Sequence, residues 1–488
     1  MLKVMDRAAT LQISNFIAGK WDASGEKMVQ RANPANLDDI VSVSPDSSGQ
    51  TARRAIEAVT AAAGSWRKLT PTERGKIVLR AAANIERDRD EIAALITREQ
   101  GKPIRESYAE VKRAIDIMEY VSGFGRRLGG NTLPSEEDGV LCFTMRESIG
   151  AVALISPWNI PFAIPSWKIA PAFVCGSPIV FKPSPFTPAT AARIVSAFLE
   201  AGIPEEAIAL VHGGPEVGEE LVRNPKVAGI SFTGSTKVGT SIHASAAPRL
   251  AKTQLEMGGK NPMIVLADAD IPAAVRACMI AAFDVSGQRC TCTSRVLVQR
   301  EVADKFIAEF VAAVEKLKIG NGSDPATEMG PLVDATRLQA VSGFVDRARA
   351  DGSRVIVGGG RLEAAGNGHF YAPTVIDNIS PEQEIAREEV FGPVVAVMPV
   401  NDLDEALGIA NSVDYGLTSS IFTKDIGRAF RFIDRIQAGM IHINRPNLGG
   451  YSHFPFGGHK HSSYGPREVG DDTIGFYTTI KSVYIRHA

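Results

Sequence analysis

Cys290 stands between a glycine turn and small polar residues, in Gly287-Gln288-Arg289-Cys290-Thr291. A cysteine becomes a good nucleophile when its thiolate is stabilised or a base can take its proton. The adjacent Arg289 and the small neighbours suit an accessible thiol. Thirty-four positions earlier, Glu256 opens Glu256-Met257-Gly258-Gly259-Lys260. The glycine pair lets backbone come close to a ligand, and a carboxylate there can activate water once desolvation raises its pKa. Asn159, in Pro157-Trp158-Asn159-Ile160-Pro161, lies on a rigid turn after an apolar run. A fixed amide donor aimed at a developing oxyanion typically contributes about 2.7–4 kcal/mol. Each residue alone has a plainer explanation: a buried structural cysteine, a solvated surface glutamate, a turn asparagine bonding its own backbone. Together they form one expected site, with a nucleophile, an oxyanion donor and a base for covalent chemistry at a carbonyl carbon. Cys292, two positions on, reads as a packing thiol.

The chain that must position these groups has 488 residues, 44% of them hydrophobic and 22% charged. At about 100–200 residues per domain, two to four domains are expected. A net charge of −2 gives no footprint for nucleic acid or an anionic membrane. Met1–Arg7 lacks the apolar core of a signal peptide, and no apolar run reaches the roughly 20 residues needed to span a bilayer. The five cysteines form no CxxC pair, which argues against a disulfide framework or zinc knuckle and fits a reducing cytoplasm. His453, His459 and His461 cluster near the tail, but without convergent partners they read as a solvated loop and not a metal site.

Residues 1–50 read as short strands and turns, with a hairpin arm at Asn15–Trp21. Helical spacing then covers Thr51–Ala63, where Ala55, Ile56, Val59 and Ala62 recur. The next helix starts at Thr70-Pro71-Thr72-Glu73, a capping box with proline at its first position. Further helices are expected at Ile92–Gln100 and Ile104–Phe124. From Val140 a strand appears, and a regular alternation follows. Apolar runs at Val152–Ser156, Ile179–Lys182, Ile208–Val211, Gly229–Thr233 and Met263–Leu266 are separated by helical segments. This pattern predicts a parallel, doubly wound sheet with ligands at its carboxyl ends. Asn159, Lys182 and Gly234-Ser235 all follow such strands. Residues 271–440 repeat the alternation and suggest a second α/β domain. The stretch Arg445–His461 is loop-like, and Phe476–Ile485 alternates as a terminal strand.

These residues carry a resemblance. The chain resembles the aldehyde dehydrogenase superfamily in Pro157-Trp158-Asn159, Lys182-Pro183-Ser184, Phe232-Thr233-Gly234-Ser235-Thr236, Glu256-Met257-Gly258-Gly259-Lys260, Gly287-Gln288-Arg289-Cys290, Glu388-Glu389-Val390-Phe391-Gly392-Pro393 and Pro455-Phe456-Gly457-Gly458. The resemblance implies an α/β fold with two doubly wound domains and a small protruding β oligomerisation sheet. Residues 1–124 and 149–258 would form the cofactor-binding domain, 259–461 the catalytic domain, and 125–148 with 462–488 the oligomerisation domain of a homodimer or homotetramer. It also implies the reaction, oxidation of an aldehyde to the acid. Cys290 would form a thiohemiacetal, with its oxyanion on the Asn159 amide and the Cys290 N–H. Hydride transfer would leave a thioester, and Glu256 would activate water to hydrolyse it. Lys168 would support Glu256 in a proton relay; the alternative is an exposed helix lysine.

The expected cofactor is NAD or NADP. No G-x-G-x-x-G follows a strand, and Gly234–Gly239 fails as a P-loop because Thr240 stands where the lysine belongs. In the resemblance, Ser235 opens a helix facing the pyrophosphate, Lys182 holds the adenosine ribose, and Glu389 and Phe391 hold the nicotinamide riboside. Ile155, Trp158, Ser184 and Gly213 complete that groove. Many NAD-preferring members carry an acidic residue where this chain has Pro185, which weakens strict NAD preference. Trp167 stands where succinate-semialdehyde enzymes often carry an arginine. The stretches Gly287–Ser294 and Phe454–Glu468 resemble those of α-ketoglutarate-semialdehyde dehydrogenases. Phe162, Trp167, Arg289 and His453 are the candidate substrate-mouth residues; for Phe162, Arg289 and His453 the alternative, and the plainer reading, is a structural role. The competing expectations are an acyl-CoA-forming enzyme and a catalytically inactive structural relative.

Overall fold

A computed structural model describes residues 9–487; Met1–Arg7, the stretch weighed above as a signal peptide, lies outside the described residues. Two large sheets organise the chain. The first has the order Ser463–Tyr464, Lys252–Glu256, Gly229–Thr233, Val152–Ile155, Ile179–Lys182, Ile208–Leu210, Asn15–Ile17, Lys20–Asp22. Its five central strands run parallel, and antiparallel strands close both edges. The central strands are buried along almost their whole length. Helices on both faces demand this, and it explains why these strands read as continuous apolar runs.

The run expected at Met263–Leu266 is a strand at Asn261–Val265, but it does not belong to this sheet. It lies in the second sheet, between Thr293–Gln299 and Thr418–Phe422. The strand missed in its place is Lys252–Glu256, which begins Lys-Thr-Gln and so lacks an apolar signature. Glu256 therefore ends the last parallel strand of the first sheet, and Met257–Lys260 crosses directly to the second. That second sheet runs Arg354–Val357, Thr374–Asp377, Val394–Val400, Thr293–Gln299, Asn261–Val265, Thr418–Phe422, Met440–Ile443. It is parallel except at the Arg354–Val357 edge.

Helices Gly49–Lys68, Pro71–Arg87, Arg89–Gln100 and Ile104–Ser122 pack beside the first sheet. Thr70 and Glu73 form the reciprocal capping box. Ala55, Ile56, Val59 and Ala62 all face inward. Asn36–Asp46 is an 11-residue strand, longer than the short strands expected there. A small third sheet pairs Thr478–Arg486 with Val140–Ser148 and Thr132–Leu133. Among the described residues, no helix is long and apolar enough to cross a membrane, and no group of His, Cys, Asp and Glu is placed to hold a metal.

Candidate active site

The thiol sits on a loop whose backbone tolerates few sequences. Val285 and Ser286 both adopt left-handed φ, 54° and 55°, a cost for side-chain-bearing residues. Gly287 follows at φ +69°, and a Cβ there would come within 2.2 Å of the Gly392 carbonyl oxygen. Neighbours fix this turn. Glu106 Oε2 accepts the Val285 N–H at 2.8 Å, and Ser286 Oγ donates to Gly330 O at 2.7 Å. Gln288 is pinned at both ends, its amide donating to Val285 O and accepting the Val333 N–H. Beyond the thiol, Asn261 Nδ2 donates to the carbonyls of Cys290 and Cys292 at 2.7 and 2.9 Å.

Asn159 meets the same loop. Its Nδ2 donates to Gln288 O at 2.9 Å, which leaves a second N–H on that amide. The Asn159 carbonyl accepts Lys102 Nζ at 2.6 Å. Lys102 pairs with Glu110 at 2.6 Å, and Glu110 Oε1 accepts the N–H groups of Phe162 and Ala163. This buried ion pair fastens the turn that carries Asn159 to the start of helix Ala163–Cys175.

Two cavities meet at these residues. One, of about 560 Å³, is walled by Trp158, Gly234, Ser235, Glu389 and Phe391. The other, of about 330 Å³, is walled by Trp167, Phe456, Arg113, Arg289 and the loop Leu448–Gly450. Asn159, Ile164, Thr233 and Cys290 line both. Cys290 is half-buried while Cys292 is buried and donates its thiol to Ala282 O. The thiol at the junction is therefore Cys290.

Burial pushes the Cys290 thiol up, reinforced by the carboxylates of Glu389 and Glu256; Arg289 only partly opposes this. The resting sulfur is thus protonated. Glu256 is 2% exposed, not a solvated surface group. Burial, then repulsion from Glu468, raise its carboxyl well above the usual range. Glu256 lines neither cavity, and its Oε2 accepts the Ser463 hydroxyl at 2.6 Å.

Lys168 corrects the expected relay in two ways. It is fully buried, not an exposed helix lysine, and its direct ion-pair partner is Glu468, not Glu256. It also donates to Ser231 Oγ at 2.8 Å, while Trp167 Nε1 donates to the other Glu468 oxygen at 2.7 Å. Lys168 acts on Glu256 only through space, as one of the charges that partly offset the rise of its carboxyl.

Of the expected cofactor residues, Trp158, Ser235, Glu389 and Phe391 line the larger cavity. Phe391 meets Trp158 edge to face, with ring centroids 5.5 Å apart. Glu389 Oε1 accepts the Gly259 N–H at 3.0 Å, and burial holds its carboxyl up at about 7. Ile155, Lys182, Ser184 and Gly213 lie outside that cavity. Lys182 is nonetheless buried beside His212 and Asp46, and desolvation lowers its ammonium to about 8. A dinucleotide suits this wall. Ser235 caps the helix Thr236–Ala246, whose first turn opens on the cavity, so its N–H groups can meet phosphate. Thr233 Oγ1 and Asn159 Oδ1 are buried without a partner, as groups awaiting a ligand or water would be.

Of the expected substrate residues, Trp167 and Arg289 line the smaller cavity. Phe162 does not: its ring is fully buried in the apolar core, and its N–H donates to Glu110. His453 does not either. It is exposed on the tail loop, stacked on Tyr451 at 5.7 Å. Thr233 and Ser463 lie in stretches that carry the resemblance but were not singled out, whereas Arg113 carries no sequence motif of its own, and only the fold brings it to the site.

A model of the aldehyde dehydrogenase family matches residues 21–483. The alpha-ketoglutaric semialdehyde dehydrogenase of Bacillus subtilis is 42% identical over 477 residues, covering 97% of this chain and 98% of that one. The alpha-ketoglutarate semialdehyde dehydrogenase of Haloferax volcanii is 40% identical over 476 residues, covering 96% and 98%. The solved structure of betaine aldehyde dehydrogenase from Staphylococcus aureus in complex with NAD+ superposes with a TM-score of 0.96 at 34% identity, covering 100% of this chain and 97% of that one.

Proposed function

The chain belongs to the aldehyde dehydrogenase family and oxidises an aldehyde with NAD(P); from that premise we propose that Cys290, Asn159 and Glu256 carry the reaction and that the substrate is α-ketoglutarate semialdehyde. The observation that carries the site is the junction: Cys290 and Asn159 are walls of both cavities. The names of the two relatives described above support the substrate.

The aldehyde enters the smaller cavity. Cys290 Sγ bonds to its carbon, the carbonyl pair moves onto oxygen, and the thiol proton leaves to solvent. The second N–H of Asn159 and the backbone N–H of Cys290 meet the oxyanion, where fixed donors lower the barrier by about 2.7–4 kcal/mol. When bound against Trp158, Glu389 and Phe391, NAD(P) supplies the hydride acceptor. A thioester remains on Cys290. Glu256, made basic by burial, then leaves Ser463 and takes a proton from water; the water oxygen bonds to the acyl carbon, the C–S bond breaks, and the acid departs. Lys168 and Glu468 set the charge around Glu256 and both meet the Ser231 hydroxyl, which lies within reach of Gln254 on the Glu256 strand.

The small third sheet leaves Leu133, Ile480 and Tyr484 exposed on one face, a surface suited to a homo-oligomer. The five free cysteines suit a reducing cytoplasm. Pro185 offers no carboxylate to refuse a 2′-phosphate, so both NAD and NADP should serve. The test is an aldehyde panel with both cofactors, scored by kcat/KM. The proposal expects α-ketoglutarate semialdehyde to exceed pentanal by at least about a hundredfold; equal values would overturn the substrate.

A further inference from the structure

The smaller cavity is lined by three cations, Lys102, Arg113 and Arg289, and three carboxylates, Glu106, Glu110 and Asp284, but the cations are not equally paired. Lys102 is taken by Glu110 at 2.6 Å. Arg289 has Asp284 at 3.8 Å and donates to Ile280 O, although its Nε is buried without a partner. Glu106 faces Arg105 at 3.9 Å, braces Val285 through one oxygen, and is held up at about 7 by burial and the neighbouring Asp284. Arg113 is the exception. It projects from helix Ile104–Ser122 into the cavity and, among the described residues, has no carboxylate within ion-pair range. Its Nη1 donates to Gly450 O in the loop over the cavity. The nearby Asp116, one turn on, pairs instead with Lys112 at 2.8 Å. Burial lowers the Arg113 guanidinium from its ordinary value, as expected for a desolvated cation without a counter-ion.

Much of the rest of the wall is apolar: Trp167 and Phe456 pack against each other with ring centroids 5.4 Å apart and, with Ile160, Ala163 and Ile164, give a short carbon chain an apolar side to lie on. A desolvated guanidinium with free N–H groups offers a bidentate seat for a carboxylate. A volume of about 330 Å³ suits a small metabolite.

We propose that Arg113 is the residue that reads the distal carboxylate of the substrate, with the Arg289 side chain as the second positive charge beside it, and that the Leu448–Gly450 loop closes over this ion pair through the Gly450 carbonyl. This rests on the semialdehyde reading above and adds what selects it. Arg113 binds the end of the substrate remote from the reacting carbon, so its loss weakens capture of carboxylated aldehydes and spares uncharged ones.

The test compares wild type, Arg113→Gln and Arg113→Lys on α-ketoglutarate semialdehyde and on pentanal. In Arg113→Gln, kcat/KM for the carboxylated substrate should fall about a hundredfold, chiefly through KM, with pentanal turnover kept within about threefold. Arg113→Lys should recover part of the loss, because the charge returns without the planar fork. Glutarate should inhibit the wild type competitively against the aldehyde and lose that effect in Arg113→Gln. If Arg113→Gln lowers both substrates equally, or leaves the preference intact, the assignment fails. If the wild type itself shows no preference for the carboxylated aldehyde, the semialdehyde reading fails first, whatever the variant does. Retained pentanal turnover is the internal proof of folding.

Discussion

Lys102→Met perturbs the site without touching any atom that reacts. Lys102 Nζ bonds both Glu110 Oε2 and the Asn159 carbonyl at 2.6 Å, and the side chains of the pair are only 1% and 3% exposed. Removing one partner of a buried pair typically costs about 3–5 kcal/mol, because the other charge is left in low dielectric. In a chain of 488 residues that should lower Tm by about 3–5 °C. Replacing both members by Lys102→Met/Glu110→Gln removes the stranded charge. The double variant should therefore melt higher than Lys102→Met, with a coupling of about 2 kcal/mol. Activity should part company with stability. The turn bearing Asn159 loses its anchor in both variants, so kcat should stay about 10–100-fold low even where Tm recovers, a cost in line with small misplacements of a catalytic donor. Differential scanning calorimetry and steady-state kinetics on the three proteins supply the comparison. If Lys102→Met keeps wild-type Tm and kcat, the pair does not hold the turn. If the double variant regains kcat together with Tm, the pair matters for stability alone.

Glu389 sits at about 7, so its carboxylate form grows as pH rises through neutrality. KM for the dinucleotide should fall over that interval, and Glu389→Gln should abolish the trend. The same raised value means that the Glu389 contribution to stability is full below its ordinary 4.5 and is lost as pH rises through about 7. Glu389→Gln should accordingly gain Tm relative to wild type on the alkaline side, measured by thermal melts across pH. Gly287→Ala should misplace the nucleophile loop, since its Cβ would meet Gly392 O at 2.2 Å; a variant with wild-type kcat would refute the described backbone. Ile480→Lys, on the exposed face of the small sheet, should shift the oligomer toward monomer in light scattering, and an unchanged mass would remove that face from the interface.

Much of the scaffold was legible because parallel strands buried on both faces read as short, largely apolar runs between helical segments. Ile179–Lys182 and Gly229–Thr233 are examples with every residue buried. The helix starting at Pro71 announced itself through its cap. Lys252–Glu256 did not, because its polar residues are satisfied by tertiary partners: Lys252 by the carbonyls of Gly475 and Thr478, Gln254 by Ser231 and the tail. Ile271–Phe283 is apolar on nearly every side and Ala335–Ala350 has a weak apolar stripe, so periodicity marks neither. At the site, Cys290, Glu256 and Asn159 stand in recognisable stretches. The partners of Lys168 and the groups that brace Asn159 do not, since Glu468 lies 300 positions away from Lys168 and no local spacing links them. Of the two readings of Phe162 and His453, substrate mouth or structural role, the structure favours the second: Phe162 is in the core and His453 is on the tail loop.

The central claim is that Cys290 carries the acyl group and that Glu256 releases it. Glu256→Gln mixed with the semialdehyde and NAD, then digested and mapped by mass spectrometry, tests both halves at once. The account predicts a burst of about one NADH per site, little further turnover, and an acyl adduct on the peptide at Cys290, with Cys292 unmodified. Full steady turnover by Glu256→Gln, or an adduct found anywhere but Cys290, would contradict it.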